Sequence, residues 1–176
     1  MHTETSKQII DLARGEGEAR WWFEGLATVK LTGEQTGGQF SLTEMLYPAG
    51  AIVPRHVHHP NDELFYILEG ELTMEVAGRP IEARAGTSIF IPRETPHGFQ
   101  VGPSGPVRYL MHYSPAGFEG FILESGQPAR DLTLPPPPEG SPSPEQIREI
   151  DAMMVECYGC EWVEDPTNPA PIGAGA

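Results

Sequence analysis

Basic residues are scarce in this chain of 176 residues: eleven Lys and Arg stand against twenty-five Asp and Glu, a net charge of −14. Most of such a surface would repel a phosphate backbone or an anionic bilayer, which argues against nucleic acid or membrane as a partner. Cysteine is scarcer still. The two present, Cys157 and Cys160, do not make a disulfide framework. Long apolar runs are missing too: no stretch reaches the eighteen residues of a membrane span, and residues 1–20 lack the apolar centre of a signal peptide. A cytoplasmic protein is therefore expected. No helix-turn-helix pattern stands before the central region, and the length suits one domain burying about 70% of its unfolded surface in a single core.

What the chain does hold is concentrated in residues 50–70, GAIVPRHVHHPNDELFYILEG. On an extended strand, residues two apart project to the same face, so His56 and His58 can reach one ion. The polar, turn-prone run His59, Pro60, Asn61, Asp62 then breaks the strand, and Glu63 opens the next one beside it as a third ligand. His97 is a fourth candidate, returning after an apolar strand at 87–91 and a turn at Pro92. Three imidazoles and a carboxylate around one divalent ion leave positions open for water or substrate, as a reactive site requires. His59 points to the face opposite His58 and reads as solvated; His112 either lines the pocket or is hydrogen-bonded on the outer face.

Short strands separated by glycine, proline and asparagine turns run from residue 20 to residue 114, a pattern of an all-β sandwich or barrel. Along 63–68, Glu63, Phe65 and Ile67 share one face, and Leu64, Tyr66 and Leu68 the other. Both faces are apolar, so the outer one needs cover from the N-terminal strand, the C-terminal helix or a second subunit, and a homodimer is expected. Inward aromatic and aliphatic residues, with Phe65, Ile67, Phe90 and Phe99 as the candidate pocket, favour an aromatic or hydrophobic small-molecule substrate. The division expected is an arm over 1–19 with a short helix at 6–14, a barrel over 20–134, a proline-rich strap and helix over 135–160, and a poorly ordered tail over 161–176. Ser143 as N-cap, Pro144 at the first position, Gln146 completing a capping box and Gly159 at the end predict that C-terminal helix, with Ile147, Ile150 and Met154 on its apolar stripe. Cys157 and Cys160 fall at its C-terminal end, where the dipole does not stabilise a thiolate, so they read as structural.

The spacing Gly50, five residues, His56, one residue, His58, four residues, Glu63, six residues, Gly70 resembles the first motif of the cupin superfamily. The stretch from Gly86 through Pro92 to His97 resembles the second, with Glu94 where the family usually has glycine and Val101 where it usually has asparagine. Residues 23–44, residues 114–126 and the proline-rich segment resemble single-domain bacterial cupins of the quercetin dioxygenase-like kind. The resemblance implies a jelly-roll barrel binding one divalent metal ion per chain (iron, manganese, nickel, cobalt or zinc). It further implies proton removal from a flavonol by Glu63, followed by attack of dioxygen and ring opening. Similar cupins without oxygen chemistry cyclise polyketides, isomerise sugars or eliminate leaving groups, and a binding barrel without turnover is a third class.

Overall fold

Period-two patterning and frequent turn residues produce two antiparallel sheets facing each other. The structure, a computed structural model, describes residues 9–137, 140, 143–163 and 172. The first sheet is built from β1 (Glu18–Trp22), β2 (Gly25–Leu31), β3 (Ser41–Tyr47), β5 (Asp62–Glu69), β8 (Ser88–Ile91), β10 (Val107–Ser114) and β11 (Gln127–Pro128). The second holds β4 (Ile52–His58), β6 (Glu71–Val76), β7 (Arg79–Arg84), β9 (His97–Val101) and β12 (Cys160–Trp162). Strand order is β11-β1-β2-β3-β10-β5-β8 in one and β12-β4-β9-β6-β7 in the other. The expected all-β jelly-roll barrel with a C-terminal helix is therefore what forms.

The core lies between the sheets. Met45, Phe65, Ile67, Met74, Phe99 and Tyr109 are each at most 2% exposed. Their partners along each strand point outward, as Leu64 and Tyr66 do on β5. Two turns show why particular residues stand where they do. At Gly70, φ is 78°, and a Cβ would stand 2.4 Å from the Pro106 carbonyl oxygen, so only glycine fits. Between β6 and β7, Ala77 (φ 49°) and Gly78 (φ 77°) make a two-residue turn in which both central residues are left-handed.

Among the described residues, three helices accompany the sheets: α1 (Gly33–Thr36), α2 (Glu119–Ser125) and α3 (Pro144–Tyr158). In α3 the capping box forms as predicted, with Ser143 accepting from the Gln146 amide, and Gly159 closes the helix at φ 60°. Met154 is its buried anchor, with Ile150 packed beside it.

Several expectations are corrected. Of the arm helix predicted over 6–14, residues 9–14 form no helix, and the remainder lies outside the described residues. Glu161 and Trp162, placed in the tail, belong to β12. Apart from Val163 and Ile172, the rest of that tail lies outside the described residues, as do residues 138, 139, 141 and 142 of the strap.

Candidate metal centre

Strand β4 contributes His56 and His58, and β9, its neighbour in the same sheet, contributes His97. Register between them shifts from Val53↔Phe99 to His56↔His97, a bulge at Pro54, which has no amide hydrogen to give the ladder. That shift sets His56 directly across from His97, their ring centroids 4.3 Å apart. Gly98 permits the approach: a Cβ there would meet Val53 O at 2.8 Å and Arg55 N at 3.0 Å. Glu63 comes from the opposite sheet, at the start of β5. The four residues thus clamp the space between the two layers, with one ligand atom from each all within 4.8 Å of one another.

Hydrogen bonding fixes two of the imidazoles. His56 Nδ1 lies 2.8 Å from the Pro54 carbonyl and His97 Nδ1 lies 2.9 Å from the Thr95 carbonyl. A carbonyl only accepts, so each Nδ1 carries the hydrogen and each Nε2 presents its lone pair to the interior. Glu63 Oε2 lies 2.8 Å from His97 Nε2 and 3.8 Å from His58 Nε2. Yet Glu63 Oε2, His97 Nε2 and His58 Nδ1 are all buried without a well-aligned hydrogen bond. A carboxylate oxygen and an imidazole lone pair at such a distance repel unless a proton or a cation lies between them. The donor set therefore fits a divalent ion, which would satisfy the buried lone pairs together.

Electrostatics agree. Burial alone would raise Glu63, but contact with His97 and the charges of the three imidazoles overcome it and hold the carboxyl at about 2. Burial, reinforced by the neighbouring imidazoles, pushes His56 well below its usual value. Burial likewise takes His58 down to about 4, against the pull of Glu63. His97 alone is raised: its burial works downward, and contact with Glu63 outweighs it. Neutral His56 and His58 beside an ionised Glu63 are the forms that bind metal, whereas His97 must give up its proton to join them.

Around this quartet stand residues that sequence reasoning left out. Phe118 packs edge-on against His58, 4.4 Å between centroids, and Tyr113, paired with Glu63, lies 5.1 Å from the same imidazole. Tyr113 is pushed well above its usual range by burial and then by Glu63, so its hydroxyl keeps its proton. Cys160, read as structural at a helix end, sits with Sγ 3.9 Å from His58 Nε2. Burial, followed by the Glu63 charge, holds that thiol protonated.

The pocket expectation is corrected at one position. Phe90 pairs with Leu64 on the outer face and is 62% exposed, so it does not line the interior. Phe65, Ile67 and Phe99 do point inward, as core beneath the quartet. His59 is exposed, as expected, held by Glu94 at 2.7 Å and Glu161 at 3.3 Å. His112 is on the outer face, stacked on Phe40. Glu94, standing where the motif usually has glycine, adopts the left-handed conformation itself at φ 65°.

A cupin domain is matched over residues 43–127. The chain is 34% identical over 90 residues to an uncharacterized protein of Methanocaldococcus jannaschii, covering 50% of this chain and 72% of that one. This chain is a cupin. It is also 27% identical over 145 residues to quercetin 2,3-dioxygenase of Bacillus subtilis, a match covering 82% of the cupin described here but 43% of that enzyme's length. Among solved structures, the polyketide cyclase RemF of Streptomyces resistomycificus superposes with a TM-score of 0.55 at 26% identity, over 80% of this chain and 97% of that one.

Proposed function

We propose that this cupin is a metal-dependent dioxygenase of the quercetin 2,3-dioxygenase type, acting on a flavonol or another aromatic, enolisable small molecule. The observation that carries the reading is the buried quartet: His56, His58, Glu63 and His97 bring one ligand atom each to within 4.8 Å of one another, and Glu63 Oε2, His97 Nε2 and His58 Nδ1 are buried without a hydrogen-bond partner. These four residues would hold one divalent ion per chain: iron, manganese, nickel, cobalt or zinc. Bound there, such an ion supplies Lewis acidity and open positions for adjacent substrate oxygens. Glu63 is the base. It is ionised through the neutral range, so its carboxylate can accept the proton of a substrate hydroxyl. Backbone carbonyls of Pro54 and Thr95 hold the imidazoles of His56 and His97 in register during that transfer. Phe118, Tyr113 and the inward Phe65 exclude water, and dioxygen attacks the electron-rich substrate once its proton has left. The likeness to the Bacillus subtilis enzyme supports the oxygenase chemistry.

A second reading, polyketide cyclisation at the same quartet, is favoured by the match that spans nearly all of the Streptomyces cyclase. The reading also takes the protein as cytoplasmic, divided into a barrel over 20–134 followed by strap and helix. It is a homodimer through the outer face of the first sheet, where Tyr66 and Phe90 are 43% and 62% exposed. Sedimentation at a monomer mass would remove the dimer.

Mass spectrometry of protein purified without added metal, then oxygen uptake with quercetin, tests the chemistry. About one ion per chain, lost in His58→Ala, with uptake abolished in Glu63→Gln, is the expected result. Stoichiometric metal with no uptake across several metals transfers the assignment to the cyclase class. Absence of metal from the folded protein refutes both.

A further inference from the structure

The quartet is shut. His56 is 8% exposed and His58, Glu63 and His97 are each 2% exposed, so a substrate cannot reach them in this conformation. What shuts it is the C-terminal segment. Strand β12 joins the edge of the second sheet against β4, with Cys160 paired to His58 and Trp162 to His56. Backbone bonds from the His59 amide to the Gly159 carbonyl and from the Val163 amide to the Arg55 carbonyl fix the phase of this ladder. They make Cys160–His58 and Trp162–His56 the non-hydrogen-bonded pairs, in which facing side chains approach most closely. The Trp162 ring accordingly lies 5.7 Å from His56, and the Cys160 thiol 3.9 Å from His58 Nε2.

From these contacts we infer that α3 and β12 form a hinged cover over the metal pocket. Cys160 and Trp162 are its inner wall and the surface an entering substrate meets opposite the imidazoles. The inference rests on the metal-site reading for its purpose, but not for its mechanics. The cover is internally tied, because Trp162 Nε1 donates to Asp151 Oδ1 of α3 at 3.0 Å, so strand and helix move as one piece. Its anchorage is by a few side chains rather than a long ladder: β12 is a three-residue edge strand, Met154 and Cys160 are buried, and Ile150, Met153, Tyr158 and Trp162 pack only partly buried against the core. Its other polar ties, His59 to Glu161 and Tyr158 to Glu124, are at the surface. A cleft of about 380 Å³ already opens beside it, lined by Pro60, Asn61, Phe118, Cys157, Tyr158 and Gly159. Phe118, which lines that cleft, packs edge-on against His58. Lifting the cover would join the cleft to the pocket.

Thiol labelling of the metal-free full chain reads this motion directly, whether or not the quartet binds metal. In a Cys157→Ser background, Cys160 is the remaining thiol and is 1% exposed. The expected result is labelling under native conditions at least tenfold faster than global unfolding, with little dependence on denaturant. Tyr158→Phe, which keeps the ring but removes the tie from the cover to Glu124 of α2, should raise the rate a further three- to tenfold at an unchanged melting temperature. Zinc-loaded Trp162→Ala should release its ion to a chelator at least fivefold faster than the parent. If Cys160 labels only at the global unfolding rate, or if Tyr158→Phe labels like the parent, the cover does not open and the inference fails. If labelling behaves as expected but zinc never binds, the metal reading fails and the hinged cover stands.

Discussion

Gly98→Ala is the sharpest test of how the fold builds the site. A Cβ at that position would lie 2.8 Å from Val53 O, 3.0 Å from Arg55 N and 3.1 Å from Arg55 Cα. All three are backbone atoms of β4, so no side-chain rotation relieves the contact, and β4 and β9 must separate by roughly half an ångström to restore ordinary spacing. Overpacking of this kind costs about 1–3 kcal/mol, a fall in melting temperature of roughly 3–10 °C for a chain of this size. The same displacement acts on the site, because His97 precedes Gly98 and pairs with His56 across the bulge. A metal quartet tolerates about half an ångström, so affinity should drop about ten- to a hundredfold. Gly105→Ala is the control, since nothing lies within 4 Å of its Cβ and its φ is ordinary. Calorimetry of the metal-free proteins and titration with zinc measure the two effects separately. If Gly98→Ala melts and binds like Gly105→Ala, the close β4–β9 approach is not what sets the imidazoles.

At the β6–β7 turn, Ala77→Asn should stabilise by about 0.5–1 kcal/mol, because Asn tolerates the left-handed conformation that Ala77 is forced into. A melting temperature equal to or below the parent's would contradict that turn type. Ser143→Ala removes one half of the α3 capping box and should cost about 1 kcal/mol. Hydrogen exchange should report the loss in the first turn of α3 before it appears in the barrel; uniform exchange would not fit. Acid stability of the metal-free protein should follow His58. Its folded value, about 4, lies below its unfolded 6.5, so the contribution is complete above 6.5 and is lost as pH falls through 4. Against His58→Gln, the parent should lose on the order of 3 kcal/mol over that window, and parallel curves would show that His58 is not buried neutral. His97, raised by Glu63, acts oppositely: its contribution is complete below 6.5 and fades as pH rises through its folded value, so the comparison must be made at His58 alone.

Much of the site was legible because its information is local. His56 and His58 share a face by strand parity, and Glu63 follows one turn later; the strand it opens was expected beside them but returns in the facing sheet, which still brings the carboxylate to the same point. His97 lies 34 residues beyond Glu63, but an apolar strand and a proline turn precede it. The helix α3 was legible for the same reason, since Ser143, Pro144, Gln146 and Gly159 are each caps acting within a few residues. Errors fell where parity had to be counted through an irregular stretch. Ile89 faces in and Phe90 out because β8 pairs Phe65 with Ile89 and Leu64 with Phe90, a register that the β8 sequence alone does not fix.

Contacts made by β12 were out of reach for a different reason. Cys160 and His58 are separated by 102 positions, and three residues of strand propensity cannot announce which edge they will join. The one hint is that Cys160 and Trp162 are spaced by two, as His56 and His58 are, so two short strands of equal parity can lay like position on like. Where the chain departs from the usual motif, the departure joins the same region. Glu94 accepts a left-handed φ that glycine would take without strain, at about 1 kcal/mol, and its carboxylate reaches His59, which also contacts Glu161 of β12. A residue costly to its own turn is thereby connected to the segment that covers the metal pocket. The departure is better understood from that contact than from the turn in which it sits.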